Sequence, residues 1–322
     1  MTSRHSPPFV SIIIPVYNEE RYIRPCLESV LALDHPRELL EVIVVDNNSS
    51  DATPLIVREV LERSGIGRIV TKVGGSIASV RNYGYQHARG DVLAFLDGDS
   101  VVEPGWLKKG LELLNSEDVV CSGFAMAVPA PESHWVQKAW FDIGNSSRHK
   151  GTTQVKWLCS FNLILKRGAF EAVGGFSEAL ETGEDFDLGV KLGSMGKILF
   201  SDATRVVHLG NINSLPAFIT KEFWRGRGEL YHVIMLRTKI KDFISTAVSI
   251  CYFLAVAGFF PSAIVYNPPL LFLCVSVIVS FPMIMLARSG IFSPGKILRG
   301  YAFYLFYFVT RGIAAFMPVP HQ

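Results

Sequence analysis

The chain of 322 residues has little excess charge of either sign. Its 31 Lys and Arg stand against 29 Asp and Glu, a formal net charge of +2. A balance this even implies no bulk attraction to nucleic acid. Cysteine is sparse as well. Cys26, Cys121, Cys159, Cys251 and Cys274 are odd in number, and none stands in a C-x-x-C pattern. That argues against a disulfide framework or a zinc site and fits a reducing compartment. No G-x-G-x-x-G follows the first apolar run, and no Walker A sequence occurs. Asn18-Glu19-Glu20 stands there instead, and acids at a helix N-terminus would compete with a pyrophosphate for that position. A dinucleotide-binding oxidoreductase is disfavoured on this ground. A secretion signal is missing too: Met1 to Pro8 is polar, and the short apolar run after it contains Pro15. The N-terminal domain is therefore expected to stay in the cytoplasm. Finally, charge itself nearly vanishes for long stretches after Lys241 and Asp242.

Around one stretch the rest is organised. The apolar run Val92-Leu-Ala-Phe-Leu96 stops at Asp97-Gly98-Asp99. A run of this length reads as a buried strand. Its two carboxylates would emerge at the strand's carboxyl end, with Gly98 allowing a tight turn. Such a pair attracts a hard divalent cation, which can hold a diphosphate. An ordinary surface turn would use the same residue types.

Val10-Ser-Ile-Ile-Ile-Pro-Val16 and Glu41-Val-Ile-Val-Val45 are further buried strands, and Arg68 to Lys72 is a weaker one. Asn18 is placed to cap a helix running to about Leu33. Helices are expected from about Pro54 to Arg63, from Ser76 to Arg89 with Gly90 stopping it, and from Pro104 to about Asn115. Val119 to Phe124 reads as another strand. Strands apolar throughout and alternating with helices indicate an α/β domain whose mostly parallel sheet is covered on both faces. Ligands of such sheets sit beyond the carboxyl ends of the strands, where Tyr17, Asp46, Asp97 and Asp99 all fall.

Val128 to Trp157 has weaker periodicity and carries Trp135, Trp140, Trp157, Arg148 and Lys150. Large aromatics there can wall a substrate site or simply pack. A helix is expected from Gly183 to about Met195. Thr182 and Asp185 have capping-box spacing, which gives Asp185 a structural role open beside that of a catalytic base. Ile198 to Phe200 and Arg205 to Val207 read as short strands. His208 follows, a candidate metal ligand on weak grounds.

Taken together, Ile14-Pro15-Val16-Tyr17-Asn18-Glu19, Val45-Asp46-Asn-Asn-Ser-Ser-Asp51, Ala88-Arg-Gly90, Phe95-Leu-Asp97-Gly-Asp99 and Gly183-Glu-Asp185-Phe-Asp187-Leu188 resemble the family 2 glycosyltransferases over about residues 10–215. The resemblance implies a GT-A fold and an inverting transferase that uses a nucleotide-diphosphate sugar. It places Pro15, Tyr17, Glu19, Asp46, Arg81, Asp97 and Gly98 at the nucleotide sugar, with Tyr17 flanking the base and Asp46 bonding base or ribose. It makes Asp99, with Asp97, the holder of Mg²⁺ or Mn²⁺, and Asp185 the general base. That division is chemically coherent, since one base takes the acceptor's proton and a metal offsets charge on the leaving diphosphate. Asn47-Asn48 departs from the family's usual acid or Gly, which puts base recognition in question. Q-x-x-R-W is absent, and Lys221-Glu-Phe-Trp224-Arg225 is a poor substitute, so transfer of a single sugar is favoured.

The C-terminal third reads differently. Residues 216–242 interleave Lys221, Arg225, Arg227, Arg237, Lys239 and Lys241 with Phe218, Ile219, Phe223, Trp224, Leu230, Val233 and Ile234. This suits segments lying on an anionic membrane surface, broken at Gly226 and Gly228. Residues 243–266 and 268–287 are long and apolar enough to span as a hairpin, with Pro261 and Pro282 as candidate kinks. Basic flanks put both hairpin ends in the cytoplasm. Residues 301–317 form a third apolar stretch interrupted by Arg311, whose relation to the bilayer stays open. The expected organisation is an N-terminal tail over 1–9, a catalytic domain over 10–215, an interfacial segment over 216–242 and a membrane region over 243–322. The expected function is sugar transfer to a lipid or lipid-linked acceptor at the cytoplasmic face. A membrane-bound nucleotidyltransferase and a non-catalytic partner protein are the alternatives.

Overall fold

A computed structural model of the chain describes residues 7–124, 128–145, 151–180, 182–210, 214–227, 244–289 and 293–317. Arg148, Lys150, Glu181 and 228–243, with the basic residues Arg237, Lys239 and Lys241, lie outside them. The chain divides into two compact units. One comprises Met1–Pro131 and His149–Gly210, the other Glu132–Arg148 and Asn211–Gln322. Each is described by itself.

In the first unit the uninterrupted apolar runs become central strands, because only a strand covered on both faces can bury every side chain. β1 (Val10–Val16), β2 (Leu40–Asp46) and β4 (Val92–Leu96) are buried at every position. With β3 (Gly67–Thr71) at the edge, they form a parallel half-sheet in the order β3-β2-β1-β4. The other half adds β9 (Asn162–Lys166), β6 (Val119–Gly123), β10 (Lys197–Ser201) and β8 (Thr152–Val155). β9 is antiparallel to both β4 and β6, and β8 is antiparallel to β10. The eight-stranded sheet is thus mixed but mostly parallel, with only β9 and β8 reversed. A smaller sheet joins β5 (Ser100–Val102), β11 (Val206–His208) and β7 (Val128–Pro129). The helices α1 (Ile23–Leu31), α2 (Thr53–Ser64), α3 (Ile77–Gln86), α4 (Trp106–Leu114), α6 (Arg167–Ala172) and α7 (Glu184–Leu192) accompany the strands.

Several local expectations are corrected. Asn18 does not cap α1, which starts five residues later without a side-chain cap. Asn18 instead adopts φ 55° and receives the Ser50 N–H on Oδ1 at 2.8 Å, tying the loop after β1 to the loop after β2. Ser76 does cap α3, accepting from Ser79 N–H, but that helix closes at His87. Gly90 lies beyond it and donates its N–H to Ser11 Oγ at 2.7 Å. The 128–157 stretch is not irregular throughout: it contains β7, β8 and α5 (Trp135–Asn145).

In the second unit, α5 packs with α8 (Leu215–Gly226) and α11 (Pro294–Ala314) around buried Val136, Phe218 and Phe303. Trp140 belongs to this core, with ring centroids 5.6–5.8 Å from Phe218, Phe303 and Tyr307. It therefore packs rather than walling a substrate. α9 (Ile244–Ile264) and α10 (Pro268–Arg288) are long and apolar enough to cross a membrane. Leu254, Phe260, Phe272, Leu273 and Ile284 on them are more than half exposed, as the faces of membrane-crossing helices would be. α11 begins seven residues before the third apolar stretch, and its Arg311 has a buried acidic partner. Its Nε lies 3.2 Å from Glu222 of α8, a carboxylate 0% exposed that also receives Arg225 at 2.7 Å.

At the sheet end opposite the strand tips, buried Glu41 accepts Ser11 Oγ–H at 2.7 Å and the Arg89 N–H at 2.6 Å, and pairs with Arg68 and Arg89. Burial opposes its ionisation, but these donors hold the carboxyl below its ordinary range. The contribution to stability is therefore present above that range and fades as pH falls through it. Glu41→Ala is expected to cost about 1–3 kcal/mol, seen as a thermal unfolding midpoint lowered by several degrees. An unchanged midpoint would remove the network from the stability argument.

Candidate active site

Parallel pairing fixes which residues meet at the strand tips. Val16 of β1 is in register with Asp46 of β2, and Ile13 with Phe95 of β4. Tyr17, Asp46 and Asp97 consequently leave the sheet along one edge. Asp46 stands two strands from Asp97, a spacing of about 10 Å. It is 3% exposed, and its carboxylate accepts the Ser49 N–H at 3.1 and 3.3 Å. Tyr17 is 59% exposed beside it. Glu19 donates its N–H to Thr53 Oγ1 at 2.7 Å, and Pro15 is buried within β1.

Gly98 is needed, though not for a left-handed turn. A Cβ there would stand 2.7 Å from Val16 Cγ1 and 3.5 Å from the Pro15 carbonyl. The Asp97–Asp99 loop lies directly on β1, and any side chain would lift it off. Asp99 is then held from the other side. β11 pairs antiparallel with β5, setting His208 opposite Ser100, and the Leu209 N–H donates to the Asp99 carbonyl at 2.8 Å. His208 Nδ1 lies 3.1 Å from Asp99 Oδ2. Single ligand atoms of Asp97, Asp99 and His208 all fall within 4.8 Å of one another. Two carboxylates and an imidazole, both Asp99 and His208 largely buried, form a donor set that fits a divalent cation. Carboxylate oxygen suits Mg²⁺ and Mn²⁺, and imidazole favours the later metal.

Arg81 of α3 occupies the space between this corner and α7. It is 3% exposed. One guanidinium nitrogen lies 2.9 Å from Asp97 Oδ1, another 2.9 Å from Glu184 Oε1. Burial works against its charge, but the two acids hold the guanidinium firmly protonated. Ser160 Oγ adds a hydrogen bond to Glu184 Oε1 at 3.3 Å. Glu184 has no role in the residue pattern. Its neighbour in the chain is Asp185, and only its partner 103 residues away reveals it.

Asp185 opens α7. The capping alternative is corrected: the N-cap is Gly183 at φ 82°, and no side chain caps the helix. The Asp185 carboxylate accepts the N–H of its neighbour Phe186 at 2.7 Å. Burial pushes its carboxyl up to about 6, and the adjacent Glu184 adds to the shift, while the Phe186 N–H and Arg81 oppose it. The result is a carboxylate whose affinity for a proton is raised toward neutral pH, as a base requires.

Residues 11–174 match the model of the family described as glycosyl transferase family 2. The glycosyltransferase AglE of Haloferax volcanii is 28% identical over 256 residues, 79% of this chain and 82% of that one. The chain spans only 34% and 20% of two longer relatives from Bacillus subtilis and Pasteurella multocida. The mannosyltransferase PcManGT of Pyrobaculum calidifontis, solved with GDP-Man and Mn²⁺, has a TM-score of 0.60 at 19% identity, covering 96% of this chain and 86% of that one. TarS of S. aureus, residues 1–349 with UDP-GlcNAc, has a TM-score of 0.53 at 19% identity, covering 94% and 90%. At these identities the two structures share the fold, a GT-A arrangement.

The shifted carboxyl can be observed directly. In metal-free buffer, ¹³C-labelled aspartate should show one carboxyl titrating near pH 6. It should be lost in Asp185→Asn and moved to lower pH in Glu184→Gln, which removes a negative neighbour. A midpoint that stays put in Glu184→Gln would contradict the coupling.

Proposed function

The chain belongs to glycosyl transferase family 2, and from this we propose that it moves one sugar from a nucleotide-diphosphate donor to a lipid or lipid-linked acceptor with inversion at the anomeric carbon. The observation that carries the reading is the bridge through Arg81, which joins the Asp97–Asp99–His208 corner to the helix bearing Asp185. Asp97, Asp99 and His208 would hold Mg²⁺ or Mn²⁺, whose positive charge would balance the diphosphate. Tyr17 and Asp46 would receive the base and ribose, flanked by the Pro15–Glu19 loop and Gly98. Asp185 would take the proton of the acceptor hydroxyl as its oxygen bonds to the anomeric carbon. The bond from that carbon to the diphosphate breaks, and its electron pair leaves with the phosphate. Arg81 would act as a positioning residue, since two of its nitrogens are committed to Asp97 and Glu184.

The family match favours glycosyl over nucleotidyl transfer. A membrane-held acceptor is supported by the apolar helices α9 and α10. Basic flanks of the hairpin support a multi-pass chain with its catalytic unit on the cytoplasmic side.

Two variants test the division of labour. Asp185→Asn should lower turnover by about 10²–10⁴-fold while donor binding changes little. Asp99→Asn should abolish the Mn²⁺-dependent part of UDP or GDP binding, measured by calorimetry with the full chain in nanodiscs. Wild-type turnover in Asp185→Asn would refute the base, and undiminished metal dependence in Asp99→Asn would refute the cation site.

A further inference from the structure

Trp157 differs from the buried Trp106 and from Trp140, which packs in a core, because it lies against the helix of the proposed base. The segment that carries it is tied along α7 at two points. Ser160 bonds Glu184 at the first turn. One turn further on, a Cβ at Gly189 would meet Trp157 Cβ at 2.3 Å and Cα at 2.7 Å, so glycine there lets the Trp157 backbone lie on the helix. Gly189 and Asp185 are spaced i, i+4 and share one helix face. The indole stands edge-on to Phe186, centroids 6.2 Å apart and planes at 75°. Trp157 is nonetheless 37% exposed. The ring is thus held against the helix that carries Asp185, and more than a third of its surface stays open to a ligand.

We propose that Trp157 is an acceptor-binding residue and that the acceptor is a saccharide, the terminal sugar of a lipid-linked glycan, whose ring lies on the indole. This rests on the transferase reading above. Two independent points favour a sugar over a bare lipid phosphate. An ionised phosphate oxygen has no proton to give, so it has no use for Asp185, whereas a sugar hydroxyl does. The C–H face of a pyranose is weakly positive and complements the negative face of an aromatic ring. In the step that follows, the acceptor's O–H proton passes to Asp185, its oxygen bonds to the donor's anomeric carbon, and the nucleoside diphosphate departs with the electron pair of the broken bond.

The test uses the full chain in phospholipid nanodiscs with Mn²⁺ and UDP or GDP. Saturation-transfer NMR is recorded with methyl glycosides of glucose, mannose and N-acetylglucosamine, and transfer to these and to undecaprenyl phosphate is assayed separately with UDP- and GDP-sugars replacing the free nucleotide. At least one glycoside should show saturation on its ring C–H protons. That signal should be lost in Trp157→Ala, retained in Trp157→Phe and retained in Asp185→Asn. KM for the glycoside should rise by about 10-fold or more in Trp157→Ala, with kcat within about 3-fold. Nucleotide binding should be unchanged in every Trp157 variant. Glycoside signals that are missing or insensitive to Trp157→Ala, or transfer to undecaprenyl phosphate alone, would overturn the proposal while leaving the transferase reading intact. Absence of Mn²⁺-dependent nucleotide binding in the wild-type chain would instead remove that reading itself.

Discussion

The site depends on one buried cation. Arg81 is almost fully desolvated, a placement that costs several kcal/mol per ion unless the charge is paired with good geometry. Asp97 and Glu184 supply the pairing at 2.9 Å each. Asp97 comes from the end of β4, Glu184 from the start of α7, and Arg81 from the middle of α3. None of the three can shift without stranding a charge. The guanidinium therefore acts as a strut that fixes the distance between a cluster suited to a cation and the helix that presents Asp185.

The same pairing sets the chemistry of its neighbour. Asp185 is partly withdrawn from water and keeps Glu184 as a negative neighbour, and its proton affinity rises toward neutral pH. Were the guanidinium aimed at Asp185 directly, the carboxylate would be held ionised and would make a feeble base. Geometry across three elements thus decides which of two adjacent acids is paired with the guanidinium and which has its proton affinity raised. In the second unit a comparable arrangement has a different consequence. Glu222, fully buried, gathers Arg225 and Arg311. It gives the arginine that interrupts the apolar stretch of α11 a buried protein partner.

The chemistry-bearing residue types and the strands beneath them are legible in the order of the amino acids. Val10–Val16, Glu41–Val45 and Val92–Leu96 read as buried strands because their apolar runs are short, and polar or acidic residues follow them at once. The two long apolar helices are legible for the converse reason, since some twenty residues without charge make a helix long and apolar enough to cross a membrane. Local signals mislead where tertiary contacts outbid them. Asn18 has the composition of a helix cap, yet its side chain holds the Ser50 N–H across the loop instead. Thr182 and Asp185 have capping spacing, yet Gly183 in a left-handed conformation starts α7 without them. Trp140 lies in a weakly periodic stretch and is nonetheless core, because periodicity over eleven residues is a faint signal when both helix faces are partly apolar.

What the amino-acid order determined by itself is the inventory: which strands end in acids, which segments are long and apolar enough to cross a membrane, and that Asp185 stands in a Gly-Glu-Asp-Phe-Asp run. What only the folded chain decided is assignment. Arg81 and Glu184 are 103 residues apart, and His208 meets Asp99 only because β11 pairs with β5. Electrostatic interaction falls off with distance in space and takes no account of separation along the chain, so the partners that tune a site stay hidden until the backbone has brought them within a few ångströms.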